Sequence, residues 1–258
     1  GREDMGETEN RRAEDIIAGR NAVMEALRAD RPLDSVLIAK GERSGSLMAL
    51  TAKCRERGIP IKEVDSRKLD ALCGPNHQGI AAVAACREYA TLDDLFAAAQ
   101  EKGEPPFLVI CDELEDPHNL GAVVRTAEAA GAHGVVIPKR RSAGLTAAVY
   151  KASAGAVEYL PVARVSNITE TIREMKKRGV WVYGLDMDGG TWCQTDLTGA
   201  VALVVGSEGK GISRLVREQC DGILSLPMHG SINSLNASVA CGILLYEAAR
   251  QRDGIAAR

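Results

Sequence analysis

Short apolar runs alternate with segments of helical apolar spacing along nearly the whole chain, and this alternation most constrains the fold. Leu33 to Ala39, Ile59 to Val64 and Gly79 to Ala85 read as strands. Between them, Asn21 to Ala29, Leu47 to Arg57 and Ser66 to Leu72 read as helices, the last with Ser66 as its cap. The pattern starts again at Phe107 to Cys111. Strands follow at Gly134 to Pro138, near Val157 to Val162, and at Val180 to Leu185, Ala200 to Val205 and Gly222 to Leu226. Helices at Leu120 to Ala130, Thr146 to Ser153, Ile168 to Arg178, Ile212 to Gln219 and Asn236 to Arg250 separate or close them. Such alternation predicts an α/β fold, with a mostly parallel sheet and crossover helices in the second run.

Aromatic residues make up only 3% of the chain, with two Trp and two Phe, so Val, Ile, Leu and Ala must build the core. That suits parallel strands covered on both faces. Residues 1–14 read as a disordered tail and 15–88 as a small α/β domain. Residues 89–106 read as a linker in which Thr91 caps a short helix ahead of the breaking sequence EKGEPP, and 107–258 as a second domain.

The formal net charge is -3, which excludes a protein that coats nucleic acid through overall positive charge. It leaves room for one basic patch. Lys139-Arg140-Arg141 and Lys176-Lys177-Arg178 are candidates, and each also reads as an ordinary solvated run. Seven cysteines, an odd number without a C-x-x-C pair, read as reduced core residues of a cytoplasmic protein. The four histidines lack zinc spacing, so no metal is expected. No apolar run approaches the ~18 residues that span a membrane, and the first ten residues lack a signal peptide's apolar core.

Three clusters could carry chemistry. The first, Asp116 to Gly121, runs into a helix bearing Arg125. Asn119 could simply cap this helix and Arg125 face solvent. Alternatively, the helix start draws an electron-rich oxygen and the guanidinium forks onto a phosphate. The second, Gly206-Ser207-Glu208-Gly209-Lys210-Gly211, follows a strand. It matches neither a Walker A loop nor a dinucleotide fingerprint. Gly206 is the residue expected against a cofactor, and a plain strand-to-helix turn is the other reading. The third, Leu226 to Ser238, is a long loop holding Ser234, Leu235 and Asn236. It offers concentrated hydrogen-bonding groups, or merely a helix cap.

In this order the three clusters resemble the three motifs of the SpoU branch of knotted RNA methyltransferases. The likeness rests on Asn119 through Ala127, Val205 through Gly211, and Leu226 through Ala240. Gly19-Arg20-Asn21-Ala22-Val23 and His77-Gln78-Gly79-Ile80 resemble the substrate-binding domain of RlmB-type rRNA enzymes. The resemblance implies a C-terminal trefoil-knot (SPOUT) domain preceded by a small ribosomal-protein-like RNA-binding domain. It implies a homodimer that uses S-adenosyl-L-methionine to methylate a ribose 2′-hydroxyl, with a guanosine of 23S rRNA as target. A tRNA target and a catalytically silent rRNA-binding assembly factor are the alternatives. By the same likeness, Gly206, Leu226 and Leu235 hold the cofactor. Asn119 and Arg125 meet the nucleotide, Glu208 orients Arg125 or fixes its own turn, and Ser234 and Asn236 orient the site.

Overall fold

The computed structural model describes residues 16–258, and the tail expected over 1–14 lies outside the described residues. By its contacts the chain divides into two compact units. The first holds the described residues up to Glu88 together with Gly144–Ala147. The second holds Tyr89–Ala143 and Ala148–Arg258.

The first unit is built from β1 (Ile16–Ala18), α1 (Arg20–Arg28), β2 (Leu33–Ala39), α2 (Gly45–Glu56), β3 (Ile61–Val64), α3 (Ser66–Cys73) and β4 (Ile80–Ala84). Its sheet order is β1-β4-β2-β3. β4 runs antiparallel to both β1 and β2, and β2 runs parallel to β3. Because side chains alternate across a strand, β2 buries residues on both faces. Val36 and Ile38 meet Val23, Leu27, Leu47 and Leu50 of α1 and α2, whereas Leu37 and Ala39 meet Leu69 of α3. The cap of α3 lies one residue earlier than expected, since Asp65 and not Ser66 fills it, its carboxylate accepting from the Arg67 N–H. The two sequence signatures of this unit come together. The Gln78 side chain accepts from the Arg20 N–H at 3.1 Å, and the Gly19 N–H donates to the Ile80 carbonyl.

The second unit comprises α4 (Leu92–Glu101), β5 (Phe107–Asp112), α5 (Pro117–Ala130), β6 (Gly134–Pro138), α6 (Ala147–Ala152) and β7 (Val162–Val165). It continues with α7 (Ile168–Lys177), β8 (Trp181–Thr191), β9 (Val201–Gly206), α8 (Arg214–Gln219), β10 (Gly222–Ser225) and α9 (Ala237–Arg252). Its six strands lie in the order β10-β8-β9-β5-β6-β7, and every pair is parallel. One face carries α4, α7 and α8, whose Leu95, Ile172 and Val216 pack on Leu108, Ile110 and Val204. On the other, α5 and α9 pack against each other, and Thr126 approaches Gly242 closely enough that a β-carbon there would stand 3.4 Å away.

The Thr91-capped helix expected within 89–106 forms as α4, its start fixed by the Thr91–Asp94 capping box and its Leu95 fully buried in the second unit's core. Two local differences from the sequence reading have simple causes. The segment expected as a strand near Val157 opens as a 3-10 turn, Ala156–Glu158, because Gly155 takes a left-handed conformation, and the strand begins only at Val162. Cys54, Cys111 and Cys241 are buried, but Cys86 and Cys193 are exposed, so the cysteines are not uniformly core residues. Among the described residues no helix is long and apolar enough to cross a membrane.

Candidate active site

β5 and β9 lie side by side in register from Phe107↔Val201 to Asp112↔Gly206. The chain leaves β5 towards β6 on one side and leaves β9 towards β10, beyond β8, on the other. Such a reversal opens a crevice at the carboxyl ends of the strands, where open α/β sheets take their ligands. The segments following β5, β9 and β10 carry the three motifs.

After β5, Asp116 caps α5 by accepting from the His118 N–H at 2.8 Å, and Pro117 occupies the first turn, where a missing N–H costs nothing. Asn119 is therefore free of capping duty. It is 7% exposed, and its side chain meets Asn236. After β10, Asn236 caps α9. Its Oδ1 accepts from the N–H groups of Ser238 at 3.0 Å and Val239 at 3.3 Å, and from the Ser238 hydroxyl. Its Nδ2 donates to Asn119 Oδ1 at 3.0 Å and to the carboxylate of Glu208, which follows β9. One side chain thus ties together the three segments that the sheet brings to this edge.

The turn after β9 is held by its own backbone. The Ser207 carbonyl accepts from the Gly211 N–H at 2.9 Å, and Gly209 and Gly211 have φ of 81° and 64°. A β-carbon on Gly206 would stand 2.1 Å from the Gly211 carbonyl. Glycine is required at 206 by this fold-back, whatever else approaches. Asp112, buried at the end of β5, accepts from the Ser213 N–H at 2.8 Å and so anchors the turn's exit. Asp112 did not stand among the sequence candidates, and Ser238 stood only as the end of the third cluster. The available signal for Asp112 was a carboxylate ending an otherwise apolar strand.

The remaining candidates take no part in this hydrogen-bonded cluster. Leu226 follows β10 half-buried, and Ser234 and Leu235 are exposed in an irregular loop. Among the described residues the backbone of 227–235 makes no hydrogen bond to the protein. Arg125 is exposed on α5. Six residues past Asn119, it lies about 120° round the helix from it. It has no hydrogen-bond or ion-pair partner among the described residues, and Glu208 reaches Asn236 instead of Arg125. Below the crevice, burial pushes the Cys241 thiol up to about 12 and raises that of Cys111, so neither supplies a thiolate nucleophile near neutral pH.

A cluster of amides, helix starts and one carboxylate suits the holding and orienting of a polar ligand. Residues 106–246 match the SpoU rRNA Methylase family, and residues 16–90 match the domain described as RNA 2′-O ribose methyltransferase substrate binding. A TrmH family tRNA/rRNA methyltransferase of Bacillus subtilis (strain 168), YacO, is 50% identical over 242 residues, covering 93% of this chain and 97% of its own. The SpoU methyltransferase AviRb from Streptomyces viridochromogenes, solved with AdoMet, is 28% identical with a TM-score of 0.59 over 93% of this chain and 90% of its own. An AdoMet-bound rRNA methyltransferase from Sinorhizobium meliloti is 26% identical, with a TM-score of 0.58 over 92% of this chain and 87% of its own. The matched segments contain all three motifs that converge at the β5–β9 edge, and the chain accordingly belongs to the SpoU family of RNA methyltransferases.

Proposed function

We propose that the chain transfers the methyl group of S-adenosyl-L-methionine to the 2′-hydroxyl of a guanosine in 23S rRNA. The observation that carries this reading is the bonding of Asn236 to both Asn119 and Glu208 at the switch point of the sheet. The residues fit the cofactor. The 227–235 loop keeps its backbone donors and acceptors unused, as a bed for an adenine edge needs, and the turn at Gly206 borders the same strand ends. Gly206, Leu226 and Leu235 would hold it. When bound, it supplies an activated methyl group on a sulfonium.

The protein's own contribution is placement. Asn119, in the first turn of α5, lies where free N–H groups and the helix dipole favour an electron-rich oxygen. Asn236 and Glu208 fix Asn119, and Ser234 lines the loop above. Arg125, unpaired among the described residues, is available to fork onto an RNA phosphate beside the target ribose and to lower the cost of alkoxide character. Alignment of the ribose oxygen behind the methyl supplies much of the rate.

A front unit whose family role is substrate binding favours a large structured RNA such as rRNA, and the Sinorhizobium relative is described as an rRNA methyltransferase. The division into an RNA-binding domain at 15–88 and a methyltransferase domain at 107–258, the trefoil knot and the homodimer belong to the same reading. Val239 and Tyr246, each more than half exposed on α9, support pairing through that helix. Tritiated methyl transfer to 23S rRNA and to bulk tRNA tests the proposal. We expect label at a 2′-oxygen of 23S rRNA. Label on tRNA alone reassigns the substrate, and label on neither refutes the activity. Arg125→Ala is expected to lower turnover by about a hundredfold or more while calorimetric cofactor binding survives; loss of that binding in a folded variant would remove Arg125 from its assigned role.

A further inference from the structure

We infer that Asn236 sets the hydrogen-bond polarity of the site, so that Asn119 presents its amide N–H groups, and not its carbonyl, to an electron-rich oxygen of the bound nucleotide. The inference rests on the methyltransferase reading above and specifies how its site is oriented.

The chain of constraint begins at α9. An amide side chain can turn over, exchanging its oxygen and nitrogen, and only the surrounding donors and acceptors decide which way it lies. For Asn236 they decide it firmly. Two backbone N–H groups at a helix start, those of Ser238 and Val239, and the Ser238 hydroxyl all point at Oδ1. Turned over, the amide would set its own N–H groups against those backbone donors and leave the start of α9 uncapped. Nδ2 therefore faces away from α9, and it meets two acceptors, Asn119 Oδ1 and the Glu208 carboxylate. A carboxylate away from acid pH accepts only, so Glu208 enforces the same direction.

With its oxygen turned to Asn236, Asn119 directs its amide nitrogen the other way. That nitrogen makes no hydrogen bond among the described residues. Yet no fully buried side-chain nitrogen or oxygen among them lacks a partner, so it is not sealed inside the protein. Asn119 stands past the carboxyl end of β5, on the first turn of α5, where the helix dipole reinforces an N–H donor towards negative charge. Asn236 is thus a positioning residue, acting on the nucleotide through Asn119.

Asn236→Asp separates polarity from capping. Aspartate caps as well as asparagine, so the start of α9 survives, but its second oxygen then accepts. Asn119 turns over to donate to it and shows its carbonyl to the ligand. Side-chain amide exchange by NMR reads this directly, with or without activity. In the parent, the Asn119 amide protons exchange readily with water and those of Asn236 are protected. In Asn236→Asp, the Asn119 protons become protected. Protected Asn119 protons in the parent would overturn the inference.

Single-turnover methyl transfer gives the functional arm. Asn236→Asp is expected to slow the step by at least about tenfold with an unchanged melting temperature. Charge repulsion between the introduced carboxylate and Glu208 would also slow it, so Glu208→Gln is combined with it. Asn119 still turns over in the double variant, which should therefore be about tenfold slower than Glu208→Gln alone. A double variant as fast as that single variant, or an Asn236→Asp enzyme as fast as the parent, overturns the inference. An inactive parent overturns the methyltransferase reading instead.

Discussion

The two ends of the six-stranded sheet use similar polar residues in opposite ways. At the amino ends of the strands the polar groups close on the protein. The Phe107 N–H donates to His133 Nδ1 at 2.9 Å. Arg252 reaches the carbonyls of Leu197, Thr198, Gly199 and Pro105 and lies over the Phe107 ring. Gln251 takes the Leu197 N–H and donates to the Thr195 carbonyl. At the carboxyl ends, a smaller network of Asn119, Asn236 and Glu208 leaves Arg125, the Asn119 amide nitrogen and the 227–235 backbone open. The difference supports the proposed placing of the ligand at the carboxyl ends, because a buried polar group satisfied within the protein holds the fold, and one left open is free to bond a partner from outside.

The sharpest contrast comes from one substitution made at both ends. At the open end, Gly206→Ala drives a β-carbon into the Gly211 backbone at 2.1 Å, so the turn carrying Glu208 must shift. We expect single-turnover methyl transfer to fall by about a hundredfold or more, since displacement of positioned groups by an ångström costs about that much. At the closed end, a β-carbon on Gly199 meets nothing within 4 Å. Gly199→Ala should therefore stay within about 0.5 kcal/mol of the parent in stability and keep its rate. Equal losses in both variants would erase the distinction between the two ends.

Arg252→Ala should do the reverse of a site mutation. It removes charged donors from several carbonyls and a cation from the Phe107 ring. Because the guanidinium is partly solvated, we expect a loss of only about 2 kcal/mol. In a chain of this size that lowers the melting temperature by roughly 4–8 °C. Turnover per folded molecule should be unchanged at a temperature well below the transition, as measured by calorimetry alongside methyl transfer. A large rate loss without a stability change would place Arg252 in the active machinery.

Much of this contrast was legible in the sequence, and the rest was invisible for identifiable reasons. The strands that build the site announced themselves as apolar runs because a parallel strand is covered on both faces, as Leu108, Val109 and Ile110 are. The three motifs could be located, and Asn119, Glu208 and Asn236 do meet. Their meeting depends on the strand order that sets β9 beside β5, and no local pattern encodes that order. The cap read at Ser66 belongs to Asp65, one residue earlier, and of the two readings open for Asn119 the capping one fails because Asp116 fills that place. Asp112 escaped notice because its purpose, holding the Ser213 N–H, is a bond between segments 101 residues apart. The direction of Arg125 follows from helical geometry alone, but its lack of a partner among the described residues is a tertiary fact.

The smallest expected effect lies in the closed end's histidine. Burial holds the His133 imidazole below its ordinary value, and Arg252 and Lys102 push the same way; Glu104 opposes them. Because Nδ1 accepts from the Phe107 N–H, the neutral ring carries its proton on Nε2, which faces Glu104 Oε1 at 3.4 Å. Protonation would put two donors face to face at Phe107. The folded state therefore binds this proton less readily than the unfolded chain. Stability from the neutral ring is complete above the unfolded value near 6.5 and is lost as pH falls through it towards the lower folded value. Urea unfolding at pH 7.5 and 5.5 should show a decline in the parent that is shallower, by at most one proton's share, in His133→Asn. Glu104→Gln removes the opposing carboxylate, so it should extend the decline to lower pH. An imidazole that titrates by NMR above its ordinary value would reverse both signs, and His133 would then stabilise the closed end as a cation paired with Glu104 rather than as a neutral acceptor for Phe107.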